Sequence, residues 1–312
     1  MKVKTIKAVI AKKMNEWWAS INNKAVRELA KKNTIVTGGC IASMLLREKV
    51  NDFDVYLRTK EAALALAKHY VARFKVTKKD GKELAIYVQE EGERIKIIVK
   101  SAGIAKEGED EKPYQYFETV GDDAAAGGYV ADVMQDDPGA IEDAYEETEA
   151  AAQENDEKSY RPVFLSTNAI SLSSRVQIVL RFYGEPEEIH KNYDFIHCTN
   201  YWTSWDGDLV LHKDALESLL SKELRYVGSK YPVCSLFRLR KFIQRQWTIN
   251  AGQILKIALQ VSELDLKDHK VLEDQLTGVD VAYFIELVSK LKEKDPAKVN
   301  SAYLVEIIDR MF

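Results

Sequence analysis

Apolar positions recur every three or four residues through "TIKAVIAKKMNEWWASI" and "NKAVRELAKK", which predicts one or two helices over residues 4–32. A short β-branched run, Thr34 to Val36, then reads as a strand that ends at Gly38 and Gly39. Residues 40–47 fit a short helix. "DFDVYL" alternates with period two, so Asp52, Asp54 and Tyr56 share one face and Phe53, Val55 and Leu57 the other. "KEAALALAKHYVARF" predicts a helix, and "ELAIYVQ" and "RIKIIVK" predict a hairpin around "EEGE". Beyond residue 160, "PVFLSTNAISL" and "RVQIVLRFY" are strand-like, "PEEIHKN" is a helical turn opened by proline, and "YDFIHC" reads as a further strand carrying Asp194. From about Lys213 onward the pattern is helical to the end, the last three segments being "LKDHKVLEDQL", "DVAYFIELVSKLKEK" and "SAYLVEIIDRMF". The expected fold class is α+β, a mixed sheet with helices over residues 1–212, followed by an all-helical body over 213–312.

Between these halves the pattern fades. Residues 103–158 hold 18 Asp or Glu against 3 Lys, a net of −15 in a chain whose total is −4, so the remainder carries +11. Low apolar content and many alanines, glycines and acids suggest a mobile insertion at about 103–160, with a nascent helix near residues 141–153. A basic body suits a polyanionic partner, although an acidic run is as readily a solvated segment. No apolar run reaches the ~20 residues that span a bilayer, and the basic start lacks the apolar core of a signal peptide. Three cysteines without paired spacing and five scattered histidines argue against a disulfide framework and a zinc site. A reduced, cytoplasmic setting is the expectation, with no membrane partner.

The chemistry is concentrated in "TIVTGGCIASMLLREKVNDFDVYLRT". Carboxylates at i and i+2 of a strand lie on one side, with Cα atoms ~6.6–6.8 Å apart. They repel unless a cation stands between them, and hard oxygen ligands suit Mg²⁺ or Mn²⁺. The paired glycines let backbone approach a phosphate, and the helix that follows offers free N–H groups. Gly-Gly, helix and Asp-x-Asp in this order describe a metal–triphosphate site. Taken alone, Asp-x-Asp would be a surface strand with two exposed acids.

The same stretch resembles the head motif of the DNA polymerase β nucleotidyltransferase superfamily, in the form found in class II CCA-adding enzymes and bacterial poly(A) polymerases. Gly38 and Gly39 match its glycines and Asp52 and Asp54 its metal-binding pair; Ile41, Ala42 and Ser43 stand where that pattern has Val-Arg-Asp. "PEEIHKNYDFIHCTNYW" is similar to a second segment, with Asp194-Phe195 at its Asp-Phe and Asn192 and Tyr193 in place of two arginines. "LRYVGSKYPVCSLFRLRKFIQRQW" is similar to a third, with Leu224-Arg225-Tyr226-Val227, Arg238 and Lys241-Phe242 matching and Ser235 replacing an arginine. The resemblance covers residues 34–60 and 185–250.

It implies a template-independent nucleotidyltransferase that adds nucleotides from NTP to the 3′ end of a tRNA-like RNA and releases pyrophosphate. Asp52, Asp54 and Asp194 would hold two Mg²⁺ (or Mn²⁺) ions, and Gly38, Gly39, Cys40, Ser43, Arg238, Lys241 and Arg245 would line the nucleotide. Residue by residue, other readings stay open. Arg238, Lys241 and Arg245 form a helical stripe, with Leu236, Leu239 and Ile243 opposite and free to pack. That stripe faces a ligand or simply water. Tyr201, Trp202 and Trp205 suit base stacking or, more often, a packed corner. The Cys40 thiol has no nearby histidine to activate it and reads as structural. Two rival functions share the fold: transfer to a protein or small molecule, and a non-catalytic nucleotide-binding regulator.

Overall fold

The computed structural model describes residues 1–77, 85–102, 113–114, 117–119, 160–268, 271, 274 and 275. Helices α1 (Val3–Ala19) and α2 (Lys24–Asn33) lead straight into strand β1 (Thr34–Thr37), which is followed by α3 (Gly39–Leu46), β2 (Phe53–Leu57) and α4 (Lys60–Thr77). β1 and β2 pair antiparallel, with Ile35 opposite Tyr56, Val36 opposite Val55 and Thr37 opposite Asp54. Because strand side chains alternate, Val36, Phe53, Val55 and Leu57 enter the main core, whereas Ile35, Thr37, Asp54 and Tyr56 share the opposite face.

The main core is built by periodicity. Ile6, Ile10, Met14 and Trp17 of α1 are fully buried at helical spacing, as are Leu66, Tyr70 and Phe74 of α4. Trp17 Nε1 donates to the Tyr70 hydroxyl at 2.8 Å, so neither polar tip is left unpaired in the core. The Asn23 side chain caps α2 by accepting from the backbone N–H groups of Ala25 and Val26. It thereby fixes where α2 begins, and hence where β1 enters the sheet.

The later strands are β3 (Ala85–Glu91), β4 (Arg94–Ala102), β5 (Pro113–Tyr114), β6 (Phe117–Thr119), β7 (Pro162–Ser166), β8 (Ala169–Leu172), β9 (Val176–Tyr183), β10 (Tyr201–Thr203) and β11 (Leu209–Val210). One sheet runs β11-β10-β1-β2-β9-β8-β7-β6, and a smaller one runs β3-β4-β5. β2 and β9 are parallel, with Asp54 opposite Gln177; the other pairs are antiparallel. Tyr201, Thr37, Asp54 and Gln177 therefore form one row across four strands. The α+β expectation is borne out.

Helix α5 (Pro186–His190) lies over this row, and α6 (Lys213–Ser221), α7 (Pro232–Gln244) and α8 (Ala251–Ser262) complete the described helices. They pack onto the head through a second apolar cluster in which Ala42 of α3 and Phe195 meet Leu219, Leu224, Tyr226, Trp247 and Ile257.

Two expectations change. "YDFIHC" is not a strand: Phe195 makes one isolated bridge to Tyr226, and Ile196–Cys198 is a 3₁₀ turn. The alternating pattern is spent instead on inserting Phe195 and His197 into the helical cluster. Within the segment expected as a mobile insertion, residues 113–114 and 117–119 are strands β5 and β6, which extend the two sheets. The rest of that segment, and the helices expected in the last 37 residues, lie outside the described residues. No helix among the described residues is long and apolar enough to cross a membrane.

Candidate active site

β1 ends at Thr37, and the chain turns at Gly38 with φ +88° and ψ −149° before α3 starts at Gly39. A Cβ placed on Gly38 would stand 2.8 Å from Asp54 Oδ2. Gly38 thus meets two demands: a backbone conformation that L side chains rarely adopt, and direct approach of backbone to a carboxylate. Its N–H donates to the Cys198 carbonyl at 3.1 Å, tying the turn to the 3₁₀ segment. A Cβ on Gly39 would meet nothing within 4 Å, so the start of α3 is open at that residue.

Asp52 and Asp54 keep some exposure but are enclosed by protein on most sides. Burial raises the pKa of Asp52, opposed by the positive charges of Lys241, Arg245 and Arg175. Burial raises that of Asp54 further, the Asp52 charge adds to the rise, and Arg238 and Lys241 oppose it. Two buried acids that disfavour each other's ionisation, facing cations that only partly relieve them, form a site with room for a bound cation. The donor set of two hard carboxylate oxygens suits a divalent metal such as Mg²⁺. Asp52 and Asp54 are the residues that would hold it.

Asp194 lies in the turn between α5 and the 3₁₀ segment. It is 7% exposed, and its Oδ2 accepts from Arg238 at 2.7 Å while its Oδ1 accepts the Phe195 N–H at 3.0 Å. Among the described residues no three acidic, histidine or cysteine side chains converge as a metal site. Asp194 thus anchors Arg238. Burial disfavours the Arg238 cation, yet the charge and hydrogen bond of Asp194 raise its pKa overall, so it stays charged beside Asp54.

The expected stripe on α7 is therefore divided. Arg238 is committed to an ion pair with the buried Asp194, and Lys241 and Arg245 remain exposed towards Asp52. The packing face of α7 also differs. Leu239 and Phe242 join the second cluster as expected for Leu239, but Leu236 and Ile243 are 42% and 52% exposed. The helix is turned by the buried Ser235 and by the Arg238–Asp194 pair, which together set the inward face. Cys40 is buried, its thiol lies 3.6 Å from the Thr37 carbonyl, and burial followed by Asp54 and Asp52 raises its pKa, in keeping with the structural reading of that thiol. Ser43 sits partly exposed one turn into α3. Trp202 is buried against Trp18, and Trp205 carries the Arg58 guanidinium over its ring at 4.7 Å, so this aromatic cluster packs.

Several residues near the carboxylates escaped the sequence reading. Thr37 Oγ1 lies 2.8 Å from His190 Nε2 and 3.0 Å from the Asn200 carbonyl. Tyr56 and Tyr193 pack at 6.0 Å beside Asp54, where burial raises the pKa of both phenols. His197 is buried among Phe195, Phe242 and Trp247. The period-two pattern marked Tyr56 as sharing the face of Asp54; a lone histidine carries no comparable signal.

Residues 8–222 match the family described as Gabija anti-defense 2 family protein. The chain belongs to that family. A curated member, Gabija anti-defense 2 of Bacillus phage SPbetaL7, is 24% identical over 119 residues, which cover 38% of this chain and 30% of that protein. The chain thus matches less than a third of that relative's length. The Gabija anti-defense 2 assignment replaces the CCA-adding or poly(A) polymerase family that the motifs resemble. Among solved structures, the Thermotoga maritima CCA-adding enzyme complexed with tRNA matches 89% of this chain and 54% of its own at 12% identity and TM-score 0.38. The Bacillus stearothermophilus CCA-adding enzyme in complex with CTP matches 86% and 50% at 11% identity and TM-score 0.36. Both likenesses are too distant to bear on site or activity.

Proposed function

We propose that this member of the Gabija anti-defense 2 family is a metal-dependent nucleotidyltransferase, and that nucleotidyl transfer is how it counters the defence its family is named for. The observation that carries the reading is the seat of Gly38 against Asp54 Oδ2, with Asp52 beside it and Lys241 and Arg245 opposite. Asp52 and Asp54 would hold two Mg²⁺ ions, and bound Mg²⁺ supplies activation of an acceptor hydroxyl and neutralisation of departing pyrophosphate. The bare backbone at Gly38 and Gly39 admits the phosphates. Lys241 and Arg245 orient the triphosphate. Arg238, held by Asp194, keeps a fixed positive charge beside Asp54.

For the acceptor, the exposed Lys241 and Arg245 favour a polyanion, and an RNA 3′ hydroxyl is the first reading. The family name favours a second: transfer to a protein or small molecule of the Gabija defence. One experiment separates them. The protein is incubated with Mg²⁺, each α-labelled NTP in turn, total RNA, and an extract of cells carrying Gabija. Label that enters RNA, protein or a small molecule and vanishes in Asp52→Asn/Asp54→Asn supports the transferase and identifies the acceptor class. Absence of label with every NTP, while the protein still binds NTP, overturns catalysis and leaves a nucleotide-binding regulator.

A further inference from the structure

Strand β1 ends on a residue that the proposed chemistry does not use. Thr37 is fully buried, and it stands directly opposite Asp54 on β2 and Tyr201 on β10. Opposed residues of an antiparallel pair bring their Cβ atoms to within ~4.5–5.5 Å, so Thr37 is a neighbour of the carboxylate. Its hydroxyl is engaged elsewhere. Oγ1 lies 2.8 Å from His190 Nε2, 3.0 Å from the Asn200 carbonyl and 3.3 Å from the Cys198 carbonyl. These groups come from three places: helix α5, the residue before β10, and the 3₁₀ segment. Asn200 is itself tied to the start of α6, because its Oδ1 accepts the His212 backbone N–H at 2.9 Å.

The Cys198 carbonyl is shared. It also accepts the Gly38 N–H at 3.1 Å. Two consecutive residues therefore hold one carbonyl, Thr37 by its side chain and Gly38 by its backbone. The turn they hold has little room to drift, since a Cβ on Gly38 would already stand 2.8 Å from Asp54 Oδ2. Threonine suits this place. Its branched Cβ restricts χ1, so the strand backbone sets where the hydroxyl points. Without that hydroxyl the turn would keep its backbone bond to Cys198, and the buried groups around Oγ1 would lose a partner. With no exposed surface and three protein groups at its hydroxyl, Thr37 is shut off from any substrate. Its effect on the site has to pass through Gly38.

We infer that Thr37 is a positioning residue for the triphosphate: its hydroxyl, braced by His190 of α5 and by the 3₁₀ segment, sets the Gly38 turn whose bare backbone receives the phosphates. The inference rests on the transferase reading, which puts phosphate at that turn. It extends the working site to His190.

The test is equilibrium binding with Mg²⁺ and inorganic triphosphate as the probe, so that neither base nor acceptor has to be known. Mn²⁺ alone is titrated in parallel and reports on Asp52 and Asp54. Thr37→Val keeps the branched shape and removes the hydroxyl, whereas Thr37→Ser keeps the hydroxyl and removes the methyl. Thr37→Val is expected to weaken triphosphate binding about tenfold or more while Mn²⁺ affinity stays within about twofold of wild type, and Thr37→Ser to bind triphosphate within about threefold of wild type. A merely structural role would not separate the two probes, nor be rescued by serine. If Thr37→Val fails to fold, Thr37→Ala against Thr37→Ser gives the same comparison, because those two differ only in the hydroxyl. Triphosphate binding that is unchanged when the hydroxyl is removed overturns the inference and leaves the transferase reading standing. Joint loss of triphosphate and Mn²⁺ binding, with no rescue by serine, also overturns it and makes Thr37 part of the fold alone. Absence of triphosphate binding in the wild-type protein overturns the transferase reading and this inference with it.

Discussion

A methyl group at Gly38 would have to sit 2.8 Å from Asp54 Oδ2 while the backbone held φ +88°. Gly38→Ala is therefore expected to cost about 1–3 kcal/mol of stability through backbone strain. Its larger effect should be on activity, because relief comes only by moving the Asp54 carboxylate. Loss of turnover by about 100-fold or more, with a stability change inside that range, is the expected outcome of kinetics and chemical denaturation; a variant of wild-type activity would remove Gly38 from the site. His197 offers a prediction on pH. Its burial lowers the pKa from 6.5 to about 4, against the opposing charge of Asp194. The unfolded chain binds a proton at this residue below about pH 6.5, and the folded protein does not until about pH 4. Stability contributed here is thus complete above pH 6.5 and falls by about 3 kcal/mol as the pH drops towards 4. Unfolding curves across that window should flatten by this amount in His197→Phe, which cannot titrate and fits an aromatic surround.

At the scale of elements, the ion pair between Asp194 and Arg238 joins the turn after α5 to helix α7. If Asp194 anchors Arg238, then Asp194→Asn and Arg238→Met should lower activity by similar factors, and the double variant should be no worse than either single one. Mg²⁺ affinity, read by metal titration, should not fall in either variant, and should rise in Arg238→Met because a positive charge beside Asp54 is lost. A selective loss of Mg²⁺ affinity in Asp194→Asn would return it to the metal ligands. This pair also marks the limit of what the chain reveals on its own. The Gly-Gly turn, α3 and the two aspartates were legible, because tight turns and alternation are local properties. The α7 stripe was legible as a stripe. Which of its cations is paired internally was not, since that depends on where Asp194 lies just before the 3₁₀ turn that replaced the expected strand. His190 and Thr37 were invisible for the same reason: their contact joins positions 153 residues apart.

Across the whole molecule, charge is unevenly shared. Residues 121–158 carry 13 Asp or Glu and one Lys, so their removal takes the net charge from −4 to +8. A variant lacking them, with β5 and β6 retained, is expected to bind single-stranded RNA more tightly at low salt and to lose that gain steeply as salt rises. Binding measured at two salt concentrations tests this; unchanged affinity would show that the acidic stretch does not screen the basic body. Turnover by the same variant tells whether the stretch acts on the site at all, because a lid would alter kinetics and a solvated loop would not.

The parallel pairing of β2 with β9 has a consequence for how such proteins can diverge. Both ends of the long excursion between these strands are pinned, one beside the carboxylates and one at the far end of β2. Phe53 N–H donates to the Arg175 carbonyl at 2.8 Å, and Gly184 N–H to the Leu57 carbonyl at 3.0 Å. Once two ends are fixed, lengthening the chain between them costs only about 0.6 kcal/mol per doubling in closure entropy. That low cost applies to the loops of the excursion and not to α4 or β8, whose Leu66, Tyr70, Phe74 and Ile170 are fully buried in the core. Size differences among relatives should accumulate in those loops, where added residues reach the outer surface without disturbing the carboxylates.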